Sequence, residues 1–309
     1  MRVILLFCGA LSVSGAFADE AELTAALADA RSSCAGISDS IKKLQVMAGI
    51  NTAVTGIGTV AAGGALFAGI KKAQTDKVRS ELGKMLAEFA RNPEEMSDVQ
   101  FLILLDKMAE KISQDKLKEC LAEAEAESKR LGYWRTGLMA GNTATHIGGA
   151  IISHKNKNDG GEIKDMIAGC VDSAQKLHNA SMQAVFDGVN AGLVAEAREI
   201  ADKCGGWNMK DATSIPKWQD VAKWTSIVGI GVGAAGTTTS IIANTEKVRE
   251  AGRQTPEGKK AEEGWNLASN ILAGTATAAS GVATGFNIAT LAKIDKLLKK
   301  AGECEEALR

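Results

Sequence analysis

Four stretches of this chain contain no Asp, Glu, Lys or Arg at all: residues 44–70, 136–153, 224–245 and 265–292. They are alike in content. The first holds "MAGINTAVTGIG", the second "MAGNTATHIGG", the third "VGIGVGAAGTTT" and the fourth "LAGTATAASG", each followed by a basic group such as Lys71-Lys72 or His154-Lys155. Gly, Ala, Thr and Ser dominate, with scattered Ile and Val, so they read as a degenerate fourfold repeat. Pro occurs three times, Tyr once, and aromatic residues are 4% of the chain. Sheets lack their preferred residues here, whereas long helices are well supplied. The expected fold class is all-α: an elongated bundle of long helical hairpins carrying the four Gly/Ala/Thr-rich segments.

Apolar spacing supports this. Leu23, Leu27, Ala30, Cys34, Ile37, Ile41 and Leu44 fall at alternating three and four spacing, a helical seam. At the same spacing the seam continues as Ala48, Asn51, Thr55, Gly58, Ala62, Ala65 and Gly69, while Ile50, Val54, Ile57 and Phe67 point elsewhere. Such a helix is apolar nearly all round, which suits a large core or lipid. Asn92-Pro93-Glu94-Glu95 reads as a helix start, and Ser214 with Pro216 as another. Turns are expected at 156–162 ("NKNDGGE"), 204–208 ("CGGWN") and 253–258 ("RQTPEG").

Gly231, Gly233 and Gly236 spell G-x-G-x-x-G, a dinucleotide fingerprint. The fingerprint needs a strand before it and a βαβ unit around it. The preceding "PKWQDVAKW" reads as helix, and the sister segments share the composition without the spacing. No cofactor is expected. Small residues three or four apart instead let helix backbones approach closely. The candidate packing positions are Gly49, Ala53, Gly56, Gly58, Gly141, Gly148, Gly229, Gly233, Gly236, Gly274, Gly281 and Gly285. These stretches resemble the glycine-zipper segments of membrane and pore-associated proteins, a likeness confined to the segments that brings no activity with it. On this reading Leu at Gly58 or Gly233 destabilises and Ala does much less.

The first eighteen residues, MRVILLFCGALSVSGAFA, combine Arg2, a short apolar core and an Ala16-Phe17-Ala18 end, the pattern of a signal peptide. Residues 1–18 are therefore expected to be removed and 19–309 to form a single helical repeat domain outside the cytoplasm, in the periplasm, cell envelope or medium. Basic and acidic residues nearly cancel at 36 and 37, so charge advertises no nucleic acid. The flanks show no positive bias that would orient the segments across a bilayer.

Beyond the leader, Cys34, Cys120, Cys170, Cys204 and Cys304 lie far apart without C-x-x-C, and His146, His154 and His178 do not form H-E-x-x-H. No metal site is expected from that spacing. A reversal near Asn158 to Gly161 would pair Cys120 with Cys204 and, more weakly, Cys34 with Cys304, leaving Cys170 reduced. No nucleophile, base and orienter assemble from spacing, so no enzyme is expected. The functional expectation is an exported or envelope helical protein whose small-residue helices pack or oligomerise and insert in a membrane, with another copy or another helical protein as partner. The alternative is a soluble secreted or periplasmic bundle with a structural or partner-binding role, whose four segments form one dry core.

Overall fold

A three-four seam of this length demands helix, and helix is what forms. The computed structural model describes residues 20–90 and 114–309, and it is 95% helical with no strand among them. Residues 20–34 make α1. Then follow α2 (Ile37–Ala90), α3 (Gln114–Phe186), α4 (Ala191–Gly205), α5 (Met209–Asn244), α6 (Glu246–Gln254) and α7 (Pro256–Leu308). The all-α bundle of long helices is thus established. The leader 1–18 and the Asn92-Pro93 helix start lie outside the described residues.

Several of the breaks have a local cause. Gly36 and Gly188 sit at φ 75°, left-handed backbone that glycine adopts without a Cβ penalty. At Gly188 the N–H of Val189 reaches back to the carbonyl of Ala184, the long bond of a glycine helix stop. Asn190 then opens α4, its side-chain oxygen accepting from Gly192 N at 2.8 Å. Asn208 opens α5, accepting from Lys210 N at 3.1 Å. Thr255 caps α7 through Gly258 N at 3.0 Å, with Pro256 in the first helical position. The turns expected at 204–208 and 253–258 are present.

Two expectations fail. The turn at 156–162 does not exist, because α3 runs straight through it. Gly160 serves close approach instead: a Cβ there would stand 2.8 Å from Ile215 Cγ2. Asn156 is buried and Lys157 pairs with Asp220 at 2.7 Å, so these polar residues face packed neighbours and have no need of a solvated loop. Nor do Ser214 and Pro216 open a helix. α5 has already started at Met209, and Pro216 lies inside it.

The chain packs into two compact units. Unit 1 takes the residues up to Val54 together with Gly148–Trp224 and Val282–Arg309, and unit 2 takes Thr55–Ile147 and Thr225–Gly281. The division falls inside every one of the four charge-free segments of the stretch read as one domain. Unit 1 holds the aliphatic core, with Leu23, Leu27, Ile37, Ile41, Ile167, Leu177, Ile200 and Ile294 buried together. Unit 2 holds a small cluster of Ala62, Ala65, Met139, Ala273 and Ala276.

Candidate functional site

The four segments turn their polar side chains inward. In unit 1, Asn51 Nδ2 donates to Ser153 Oγ at 2.8 Å and Asn287 Oδ1 at 2.9 Å, and Gln219 Nε2 donates to Thr290 Oγ1 at 3.0 Å, all buried. In unit 2, Ser280 Oγ donates to Asn142 Oδ1 at 3.0 Å and lies 2.9 Å from His146 Nε2. These buried amides and hydroxyls are tolerable because they bond to one another, whereas Ser226 Oγ, Asn142 Nδ2 and His146 Nδ1 are buried without a partner among the described residues.

Their outward faces are the converse. In 44–70 the exposed positions are Val46, Ile50, Ala53, Ile57, Val60, Phe67 and Ile70. In 136–153 they are Gly137, Ala140, Gly141, Ala144, Ile147 and Ile151. Across 224–245 and 265–292 the exposed polar residues are Thr238, Thr245 and Thr275. Each of these hydroxyls donates to a carbonyl of its own helix, Ala234, Ile242 and Ile271 respectively. Trp224, Ile227, Val228, Ile241, Trp265, Leu267, Ile271, Val282 and Ile288 fill the rest with Gly and Ala. The outside is therefore apolar and the inside polar, against the usual order for a protein in water.

The length of this surface is informative. At about 1.5 Å per residue, the outward positions of each segment taken by itself run roughly 36 Å from Val46 to Ile70, roughly 21 Å from Gly137 to Ile151, roughly 26 Å from Trp224 to Ile241 and roughly 34 Å from Trp265 to Ile288. A bilayer hydrocarbon core is about 30 Å thick.

Just past the charge-free stretches, unit 2 buries a charged cluster. Lys72 Nζ meets Asp76 Oδ2 at 2.7 Å, Ser128 Oγ donates to Asp76 Oδ1 at 2.5 Å, and Arg79 forks onto Glu262 at 3.0 and 3.1 Å. Arg135 is fully enclosed and donates to Ser240 Oγ at 3.0 Å, Asn266 Oδ1 at 3.1 Å and Asn270 Oδ1 at 3.3 Å. Burial lowers the Lys72 ammonium against the opposing pull of Asp76, and burial pushes Arg135 down to about 10. Gly69 belongs to this site, because a Cβ there would collide with Asn270.

The sequence-derived packing positions divide sharply. Gly58, Gly229, Gly233 and Gly236 are buried against Thr145, His146, Thr143 and Met139, where an added Cβ would collide, and Gly148 touches Val54. Gly49, Gly56, Gly141, Gly274, Gly281 and Gly285 meet nothing within 4 Å, and Ala53 is exposed. The reason is phase: their three-four spacing is correct but places them off the inward stripe. Even Ala at Gly58 or Gly233 meets a threonine hydroxyl, so Thr145 or Thr143 must shift to admit it.

The expected disulfides are corrected too. Cys34 pairs with Cys170 and Cys204 with Cys304, each with Cα atoms 4.7 Å apart, while Cys120 is free and exposed. The Cys120 to Cys204 pairing relied on a reversal near Asn158 that α3 does not make. Cys34 and Cys304 are neighbours without being partners. No protein-family model, curated protein or solved structure matches the chain. Its functional reading therefore comes from these geometries alone.

Proposed function

We propose that this chain is an exported, non-enzymatic helical protein whose four charge-free segments insert in a membrane and whose outward small residues pack against further copies. The single observation behind this reading is the inverted surface: outward positions of the segments are apolar, and their Asn, Ser and His side chains face inward. Lipid suits that arrangement, because hydrocarbon solvates Ile and Val while most of the inward amides and hydroxyls bond to one another. Gly141, Gly281 and Gly285, exposed with open space above them, are the contacts for a neighbouring copy.

A second reading has one observation in its favour. Only two helical stretches among the described residues, Glu20–Glu81 at mean hydropathy 1.6 and Ala191–Asn244 at 1.5, are apolar and long enough to cross a membrane by length and composition. A water-soluble bundle whose apolar face is covered by a helical partner would need no more.

Carbonate extraction followed by flotation with phosphatidylcholine vesicles separates the two. Retention in the membrane after carbonate, with brominated acyl chains quenching tryptophan, is the expected result. Release of the chain into the supernatant without quenching supports the covered bundle and removes the membrane reading.

A further inference from the structure

Cys34, Cys170, Cys204 and Cys304 come from four different helices, α1, α3, α4 and α7, and all are buried in unit 1. Two separate bridges would have no need to be neighbours. Here all four Sγ atoms lie within 4.8 Å of one another. Tetrahedral zinc with Zn–S bonds of about 2.3 Å holds its sulfurs about 3.8 Å apart, inside that envelope. The cluster is sulfur alone, the donor set that selects a soft or borderline cation over magnesium or calcium. A cavity of about 340 Å³ borders the cluster, lined by Cys34 and Cys304, one residue of each bridge, together with Trp207.

We propose that this quartet has two chemical states: two disulfides when oxidised, and one Zn²⁺ held by four thiolates when reduced. The inference is independent of the membrane reading. A dithiol reductant supplies two electrons and two protons to each disulfide, opening it to two thiols and closing its own ring disulfide. Zinc binding then releases four thiol protons as four Zn–S bonds form. One cross-link among four helices thus replaces two cross-links between pairs of them.

The test uses the full chain, reduced with dithiothreitol, freed of reagent under argon and titrated with Co²⁺ as a coloured probe. One Co²⁺ per chain is expected, with thiolate-to-metal charge-transfer absorption that one equivalent of Zn²⁺ displaces. Among the cysteines of the described residues, only Cys120 should then alkylate rapidly. Cys34→Ser and Cys304→Ser should each abolish the absorption, and Cys120→Ser should leave it. If reduction unfolds the chain, recovery of helicity on adding Zn²⁺ supports the site, since metal binding and folding are linked. A reduced chain, folded or unfolded, that gives no Co²⁺ absorption overturns the proposal. So does metal uptake that leaves the quartet open to alkylation.

Discussion

The largest side chains fully shut from solvent in unit 1 are Leu23, Ile37, Ile41, Leu44, Ile167, Leu177, Ile200, Ile215 and Ile294; in unit 2 they are Arg135, Lys72 and Met139. Unit 1 is built as proteins in water are, by aliphatic burial, with two bridges added. Unit 2 buries hydrogen-bonded polar groups in place of leucine, as unit 1 does in and beside its parts of the charge-free segments, at Asn51, Ser153, Gln219 and Asn287. The change occurs along single helices. On α2 the inward stripe passes from Ile37, Ile41 and Leu44 to Ala48, Asn51, Thr55 and Gly58, as the outward residues pass from Lys42 and Lys43 to Val46, Ile50 and Ile57. One helix therefore exchanges its polar and apolar faces without a break. A moment averaged over its length would miss both faces.

The largest effect should come from opening both bridges. Their sequence separations are 136 and 100 residues, and loss of a native disulfide typically costs about 2 to 5 kcal/mol. In metal-free protein, Cys34→Ser combined with Cys204→Ser should accelerate amide exchange in α1 and α4 and leave the Arg135 region of α3 protected. Equal acceleration in both would erase the contrast between the units. Next is the charged cluster of unit 2, where Asp76→Ala removes the acceptor for Lys72 and Ser128. Stranding a buried charge costs about 3 to 5 kcal/mol, so thermal unfolding should fall steeply, whereas Asp39→Ala, at an exposed surface pair, should leave it unchanged.

Glycine substitutions sharpen the comparison at a smaller scale. Gly58→Leu and Gly233→Leu should lose about 1 to 3 kcal/mol by overpacking, read as a lower melting temperature. Gly281→Leu and Gly285→Leu should stay within about 0.5 kcal/mol yet weaken chemical cross-linking between copies. A normal cross-linking pattern in those two variants would count against lateral packing. The smallest effect is a pH slope. Burial lowers Lys72 below its ordinary 10.5, so between the lowered value and 10.5 the unfolded chain binds more protons and stability rises with pH. Lys72→Met should flatten that rise in melting curves taken at increasing alkalinity.

Much of this was legible before any coordinates. Every residue of the seam from Leu23 through Leu44 to Gly69 is buried, because three-four spacing reports a helical face whatever the side chains on it. Composition could not report phase, and so it did not separate Gly58 and Gly233, which face inward, from Gly141, Gly281 and Gly285, which face outward. Nor could it separate a turn from a close approach at Gly160, since both require a missing Cβ. The sulfur quartet had no local signature at all. Its members are gathered by four helices, and only the fold sets their distances. The charged cluster offered one clue, Lys72 four residues before Asp76, but its partners Ser128, Arg135 and Glu262 are remote in sequence.

Unit 1 is discontinuous, and that governs the order in which it can be completed during synthesis. Cys34 and Cys170 are both available before Cys204 is made, but Cys204 must wait a further 100 residues for Cys304. At typical elongation rates of about 5 to 20 residues per second, the delay is roughly 5 to 20 s. During that time the nearest cysteine along the chain is Cys170, 34 residues back. Early closure of the Cys34 bridge removes Cys170 from the competition and keeps Cys204 for its late partner.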